Sequence, residues 1–353
     1  MRLPSPILLG ITLCVQLTLA SPRDVWSIRK LRSLVAFGDS YTDESRLGYF
    51  YNNNGSAPPV GWIGPEGAVT ASGGRVWARY VSQYTGAKLY NYAVSGAVCS
   101  NAVTPRWFGP INDNFPAVAE YEVPAFIADS HHRTHRKPTL DISASQTVYS
   151  IWIGTNDLGN YAFLTDSQVK GKTISDYLDC VYGQLEKLYK NGARYFVIMN
   201  AAPLELLPQY APMDAGGLAT TQFWPDKWAN ITAAHEKIKE YVALVNDNYK
   251  YRTPYETKVK RRYPGAHFAV FDTYDLLSDI YYNPTRYLNG TGPPNVQGYQ
   301  NHCVNNTCTP QGDPDAYLWY DELHPSEQTD RIIAKNFVDV VNGRSKWATY
   351  WSD

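Results

Sequence analysis

The sequence has no surplus of charge of either sign. Among its 353 residues, 32 Lys and Arg stand against 33 Asp and Glu, and the formal net charge is −1. A protein that neutralises a phosphate backbone or an anionic bilayer needs a basic surplus, so nucleic acid is not an expected partner. Only 18% of the residues are charged and 44% are hydrophobic, which excludes a disordered or fibrous chain. The 28 Tyr and 10 Trp suit a surface that meets amphipathic ligands such as sugars.

Apolar runs long enough to cross a bilayer are absent, since such a helix needs roughly 18 to 20 apolar residues. The apolar stretch 7–19 is shorter, follows the basic residue Arg2 and precedes the small residue Ala20. This arrangement is typical of a secretory signal peptide. We therefore predict a signal peptide at residues 1–20, a secreted, extracellular chain at 21–353 and no stable membrane anchoring.

Cysteines are few, and their number becomes even once the signal peptide is removed with Cys14. The remaining four fit an oxidising compartment and allow three pairings. The short spacing of Cys303 and Cys308 favours a bond between them, which by elimination leaves Cys99 with Cys180, while the other pairings stay open. Four glycosylation sequons also fit an exported protein. They begin at Asn54, Asn230, Asn289 and Asn305.

Cofactor-binding motifs are missing as well. The sequence contains no Gly-x-Gly-x-x-Gly, no phosphate-binding loop and no Gly-x-Ser-x-Gly nucleophile elbow, so we predict no cofactor. His235 and Glu236 begin a zinc-protease motif, but Lys239 replaces its second histidine. Another His-rich segment, 129–137, carries Arg and Lys side chains whose positive charge opposes a cation. We predict no metal site.

Short β-branched or aromatic runs alternate with helical patterns, which predicts an α/β protein with a parallel sheet covered by helices on both faces. The predicted strands, about five in all, are residues 34–37, 88–94, 147–153, 194–199 and 267–271. The predicted helices are residues 173–191, 227–251 and 326–342. Long loops are expected at residues 52–74, 105–138 and 283–314. No repeat or low-complexity linker divides the chain, and we expect a single domain at 21–353.

Polar segments follow three of these strands directly. Residues 37–43 read FGDSYTD, 91–97 read NYAVSGA and 153–157 read IGTND, and far downstream 321–325 read DELHP before the last helix. Ligands of an open parallel sheet bind outside the carboxyl ends of its strands. We therefore expect these segments to meet at one edge of the sheet.

The segments supply the groups of a serine nucleophile. A serine hydroxyl needs a base to remove its proton, and a neutral imidazole oriented by a carboxylate does so near neutral pH. Ser40, His324 and Asp321 are these three groups. The proline after His324 suits the start of a helix, so we expect His324 to lie just before one. A helix N-terminus disfavours an imidazolium, and the Asp321 carboxylate is needed to offset this unfavourable effect.

Attack on an ester also creates an oxyanion, which needs donors fixed in advance. The Ser40 N–H, the Gly96 N–H and the Asn156 side-chain amide are the candidate donors. Glycine suits such a place because it has no Cβ, so its backbone can approach a reacting centre closely.

The four segments together resemble the signature blocks of the GDSL, or SGNH, hydrolases, in that family's order. The resemblance implies a flavodoxin-like three-layer α/β/α sandwich. It also implies Ser40 as nucleophile, Ser40, Gly96 and Asn156 as oxyanion donors, and Asp321 with His324 as the base pair. Within the family, residues 61–65 (GWIGP), 73–77 (GGRVW) and 92–101 (YAVSGAVCSN) resemble secreted fungal acetylesterases of the carbohydrate esterases. These enzymes remove acetyl groups from hemicellulose-derived oligosaccharides through an acyl-enzyme intermediate.

Three functions follow as hypotheses. The first is an acetylesterase acting on acetylated oligosaccharides or other small esters, with Trp62, Trp77, Trp107 or Trp152 as candidates to stack on sugar rings. The second is a lipase or phospholipase, disfavoured by the lack of a basic amphipathic helix. The third is a glycan-binding protein without turnover, disfavoured because every predicted catalytic group is present.

Overall fold

The central sheet has six strands in the part of the chain that the computed structural model describes: Trp26, Ile28 and residues 30–304 and 307–352. The strands are β1 (Ser33–Gly38), β2 (Lys88–Asn91), β3 (Thr147–Trp152), β4 (Tyr195–Met199), β5 (His267–Phe271) and β6 (Ala348–Ser352). Their order is β2-β1-β3-β4-β5-β6, with β1 to β5 parallel and β6 antiparallel to β5. The first five strands follow a flavodoxin-like order.

Helices cover both faces of this sheet. They are α1 (Arg46–Asn52), α2 (Trp77–Thr85), α3 (Val123–His131), α4 (Thr155–Leu158), α5 (Ile174–Lys190), α6 (Ile231–Pro254), α7 (Thr273–Tyr282) and α8 (Glu327–Val341). Helices α2 and α8 pack together, whereas α5 contacts α3 and α6. All residues of β1, β3 and β4 are buried, as expected of strands covered on both faces. The predicted three-layer α/β/α sandwich is confirmed.

Smaller two-stranded sheets lie in the connecting segments. They pair Trp107–Phe108 with Asp113–Asn114, Arg133–Thr134 with Lys137–Pro138, Asn295–Tyr299 with Tyr317–Trp319, and Asn301–Val304 with Thr307–Pro310. None of the helices within the described residues has both the length and the apolar character that crossing a membrane requires.

The structure corrects several sequence predictions of local structure. The expected loop 283–314 contains the strands Asn295–Tyr299, Asn301–Val304 and Thr307–Pro310, and the helix predicted at 227–251 is observed as Ile231–Pro254. The sheet gains β6, a short edge strand that follows α8 after only a few residues. The predicted strand 88–94 ends at Asn91, whose side-chain amide donates to the backbone of Thr42 (2.5 Å). The expected loop 105–138 contains α3, because an apolar stretch that begins with Val123 and Pro124 buries its Phe126 ring against Phe37.

Two disulfides connect the pairs named in the sequence analysis, one favoured by its short spacing and the other left by elimination. Cys99–Cys180 joins the segment after β2 to α5, and Cys303–Cys308 closes the 301–310 hairpin. Of the predicted sequon asparagines, Asn54, Asn230 and Asn289 are exposed. Asn305 and the predicted signal peptide lie outside the described residues.

Candidate active site

Ser40, His324 and Asp321 form one hydrogen-bonded chain. Ser40 lies in the turn that follows β1, and its Oγ is 2.8 Å from His324 Nε2. The opposite ring nitrogen, Nδ1, lies 2.8 Å and 3.0 Å from the two carboxylate oxygens of Asp321. Because an ionised carboxylate only accepts, Nδ1 carries the proton and Nε2 is left to accept from the serine hydroxyl. This arrangement can remove the Ser40 proton.

The Asp321 carboxylate is itself held by the backbone. Its Oδ1 accepts from the N–H groups of Leu323 (2.9 Å) and His324 (2.8 Å). Burial acts to lower the pKa of His324, but the charge and hydrogen bond of Asp321, with the charges of Asp39 and Glu322, together raise that pKa above its ordinary value. The pair therefore stabilises the imidazolium that forms when His324 takes up a proton.

Packing and a turn position the His324 ring. The backbone N–H of Tyr320 donates to the carbonyl of His324 (2.9 Å), and two residues later Ser326 caps α8 by accepting from Thr329. Tyr41, next to the serine, donates its hydroxyl to the carbonyl of Leu323 (2.7 Å). As expected from the sequence, His324 thus lies just before a helix.

The predicted oxyanion donors lie beside Ser40, in the same cavity. Gly96 has φ +83°, a left-handed conformation that favours glycine, and a Cβ there would lie 2.4 Å from the Phe115 ring. Asn156 lies in α4, directly after β3, and its Nδ2 donates to the carbonyl of Ala97 (2.8 Å). An amide nitrogen carries two hydrogens, so one N–H of Asn156 remains for a further acceptor.

Asp43 connects the turn that carries Ser40 to the turn that carries Gly96, a contact that the sequence did not predict. Its Oδ1 accepts from the N–H groups of Ser45 (2.9 Å) and Arg46 (2.8 Å) at the start of α1. Its Oδ2 accepts from the N–H of Ser95 (2.8 Å), next to Gly96. The only sequence signal was its place within the 37–43 segment.

Two further carboxyl groups lie buried around the site. Burial raises the pKa of Asp39 to about 6 and that of Asp157 to about 7. Asp39 accepts from the N–H of Tyr41 (3.0 Å), and Asp157 accepts from the N–H of Cys99 (3.0 Å) and the hydroxyl of Thr104 (2.8 Å). Asp157 thus holds the segment that carries Gly96 against the end of β3.

These groups open into a cavity of about 370 Å³. Its apolar wall includes Leu47, Phe108, Phe115 and Phe223. The Phe223 ring stands edge-on to the His324 ring, with their centroids 5.2 Å apart. The site therefore presents a polar reacting end and an apolar wall to a ligand.

Two of the four tryptophans expected to stack on sugars are core residues instead. Trp77 and Trp152 are 0% and 2% exposed, and the Trp152 indole N–H donates to a backbone carbonyl. Trp62 is half-buried and packs edge-on against Tyr49, with the Arg46 guanidinium over its ring. Trp107 is 63% exposed. Its chain neighbours on both sides, including Phe108, line the cavity.

Asp129 and His132 of the His-rich segment form hydrogen bonds within the protein. Asp129 accepts from the N–H of Gly61 (2.6 Å) and the hydroxyl of Tyr92 (2.7 Å), and His132 pairs with Thr139 (2.7 Å). In the described part of the chain, no three His, Cys, Asp or Glu side chains come together as a metal site would require.

A family model described as GDSL-like lipase/acylhydrolase matches residues 34–337 of the sequence. The chain belongs to this family. The predicted membership is confirmed, and with it the class of carboxylic ester hydrolases.

Three relatives illustrate the range of this family. An acetylesterase of Hypocrea jecorina is 44% identical over 322 residues, which cover 90% of this chain and 91% of that protein. An acetylesterase of Thermothelomyces thermophilus is 24% identical over 88% of both chains. A GDSL esterase/lipase of Arabidopsis thaliana is 29% identical over 56% of this chain and 54% of its own length.

Proposed function

We propose that this GDSL protein is a serine acetylesterase that removes acetyl groups from sugars or oligosaccharides. The observation that carries the proposal is the chain from Ser40 through His324 to Asp321, at the end of a cavity that also holds Gly96 and Asn156. The acetyl preference is supported by the two acetylesterases that match about nine-tenths of this chain.

In the proposed reaction, the Ser40 Oγ attacks the acetyl carbonyl carbon while its proton passes to His324 Nε2. The carbonyl oxygen becomes an oxyanion that accepts from the N–H groups of Ser40 and Gly96 and from the free amide N–H of Asn156. The tetrahedral intermediate breaks its bond to the sugar oxygen, which takes the proton from His324 and leaves. Acetyl-Ser40 remains.

Water then hydrolyses the acetyl-Ser40 ester, with His324 again transferring the proton. One proton of the water passes to His324 while the water oxygen bonds to the acetyl carbon. The bond from that carbon to Ser40 Oγ then breaks as Oγ takes the proton from His324, and acetic acid leaves and gives up its remaining proton to solvent as acetate forms. Asp321 stays ionised and stabilises the imidazolium in both halves of the reaction. The Trp107 side chain is exposed and its neighbours Arg106 and Phe108 line the cavity, so in the proposed complex a sugar ring stacks on the Trp107 ring.

A lipase is the second candidate, because one observation favours it. The apolar wall of Leu47, Phe108, Phe115 and Phe223 can also contact an acyl chain longer than acetyl. The two candidates differ in the acyl length that the cavity accepts, so hydrolysis rates can separate them.

The deciding experiment compares p-nitrophenyl acetate, butyrate and octanoate as substrates. We expect kcat/KM to fall steeply after acetate, and the Ser40→Ala variant to lose at least about 10³-fold in kcat. Rates that hold or rise toward octanoate would support the lipase. Turnover equal in Ser40→Ala and the unmodified protein would contradict the serine mechanism, and no turnover in either would leave the glycan-binding hypothesis.

We also propose that residues 1–20 direct export and that 21–353 form the mature single domain. The two disulfides support an oxidising compartment. Protein for the assay is therefore taken from the medium of an expressing host, where its N-terminus should be Ser21. A chain that stays inside the cell or begins at Met1 would contradict this part of the proposal.

A further inference from the structure

Arg106 is a cationic residue that lines the cavity. The sequence alone did not indicate a role for it. It directly precedes the hairpin formed by Trp107–Phe108 and Asp113–Asn114, which we call the 107–114 hairpin. Its guanidinium Nη1 donates to the side-chain oxygen Oδ1 of Asn156. Arg106 thus lies outside the four signature segments but contacts Asn156, an oxyanion donor in the proposed function.

Both backbone polar groups of Arg106, the N–H and the carbonyl, form hydrogen bonds. Its N–H donates to the side-chain oxygen of Asn101 (3.2 Å), and its carbonyl accepts from the N–H of Phe115 (2.8 Å). The Asn101 amide in turn donates to the Phe115 carbonyl (2.9 Å). The guanidinium carbon lies 5.6 Å from the centre of the Phe115 ring. These contacts aim the side chain at Asn156.

The amide of Asn156 is consequently fixed from both ends. Its Nδ2 donates to the Ala97 carbonyl, which can only accept, and its Oδ1 accepts from Arg106, which can only donate. A half-turn of the amide would place oxygen against the carbonyl oxygen of Ala97 and the NH₂ group against the guanidinium. It would also replace the free N–H with an oxygen, which would repel an oxyanion.

From this geometry we propose that Arg106 is a positioning residue that holds the Asn156 amide in its donating orientation. The inference rests on the proposed function, in which Asn156 stabilises the oxyanion. Because the guanidinium is charged, its hydrogen bond also polarises the amide and strengthens the remaining N–H as a donor. Both effects act on the transition state, so they should raise kcat and leave substrate affinity unchanged.

The test is a double-mutant cycle on p-nitrophenyl acetate hydrolysis. Arg106→Met keeps an apolar chain and removes every donor, and Asn156→Ala removes the amide. We expect Arg106→Met to lower kcat at least about 10-fold with little change in KM, and Asn156→Ala to lower it about 10²- to 10³-fold. In the Asn156→Ala background, Arg106→Met should change kcat by less than about threefold, because its target is gone.

Two companion variants separate positioning from a purely structural role. Arg106→Lys retains a charged donor and should recover part of the lost kcat. Arg344→Met removes an exposed arginine outside the cavity and should leave kcat and KM unchanged. If Arg106→Met does not fold, the same cycle is run with Arg106→Leu, which also has no side-chain donor.

The outcomes distinguish this inference from the proposed function. An equal loss of kcat in both backgrounds, or a raised KM with kcat unchanged, would overturn the positioning role. A loss in Asn156→Ala with none in Arg106→Met would overturn the inference alone. Unchanged kcat in Asn156→Ala would contradict the proposed oxyanion site, and the inference with it.

Discussion

His324 has to be neutral before it can accept the Ser40 proton in the proposed reaction, so its pKa determines the acid limb of activity. Burial acts to lower that pKa, but the nearby carboxylates, Asp321 foremost and then Asp39 and Glu322, together raise it above its ordinary value. We expect kcat/KM to rise with pH through a midpoint above the ordinary histidine value of about 6.5. A pH profile of p-nitrophenyl acetate hydrolysis measures this midpoint.

The Asp321→Asn variant provides the control on that assignment. Without the carboxylate, the imidazolium loses its main stabilising partner, so the midpoint should move to lower pH while kcat also falls. Asp39→Asn should move the midpoint in the same direction, because the Asp39 charge also raises the pKa of His324. A midpoint that both variants leave in place would show that another group controls the acid limb.

At the scale of single residues, motif and strand-end rules predicted much of the candidate site. The order of strands brings the segments that carry Ser40, Gly96 and Asn156 to one edge of the sheet, as the sequence indicated. Arg106 could not be predicted, because its reach to Asn156 depends on the fold of a segment expected to be a long loop. The prediction that Trp152 could stack on a sugar ring is wrong, because a local sequence pattern does not show which aromatic side chains are buried in the core.

At the scale of elements, the turn that carries Gly96 lies against the end of the 107–114 hairpin. The Phe115 ring, just beyond the hairpin, lies where a Cβ on Gly96 would have to be. The ring is also stacked on Phe108, with centroids 4.3 Å apart. A side chain at position 96 would therefore displace a packed pair of rings and the backbone N–H proposed to meet the oxyanion.

Gly96→Ala should accordingly lower kcat at least about 10-fold and also lower the free energy of unfolding. Gly86→Ala is a matched control, because Gly86 has φ +70° at the end of α2 and a Cβ added there would meet no atom within 4 Å. An alanine at position 86 has the same conformational cost of a left-handed backbone, about 1–2 kcal/mol, but its Cβ clashes with no ring. Both variants should be less stable in urea, but only Gly96→Ala should lose kcat; equal kcat in the two would contradict a role for this turn.

Two of the three predicted helices have observed ends within one residue of the predicted ones, namely those at 173–191 and 326–342. The helix predicted at 173–191 is observed as Ile174–Lys190, with Thr173 and Asp176 forming a capping box at its start. Strand β6 escaped prediction because it is an edge strand whose residues are only partly buried, so it lacks the apolar run that marked the buried strands. Its place in the sheet depends on pairing with β5, a contact far away in sequence.

At the scale of the whole molecule, the two disulfides constrain the chain very differently. Cys99 and Cys180 are 81 residues apart in sequence, and their bond ties the segment after Gly96 to helix α5. Cys303 and Cys308 are only 5 residues apart within one hairpin. A cross-link stabilises a fold mainly by restricting the unfolded chain, and the restriction grows with the length of the loop it closes.

The chain-entropy relation gives a stabilisation of about 4.5 kcal/mol for the long loop and about 2 kcal/mol for the short one. We therefore expect the double variant Cys99→Ala/Cys180→Ala to lose more free energy of unfolding in urea than Cys303→Ala/Cys308→Ala. The full burial of Cys99 acts in the same direction, because removing its sulfur also removes packing contacts. Equal losses in the two variants would mean that the closed loop length does not control stability. A larger loss from the hairpin pair would instead show that the segment around residues 301–310 carries stability that its short loop cannot explain.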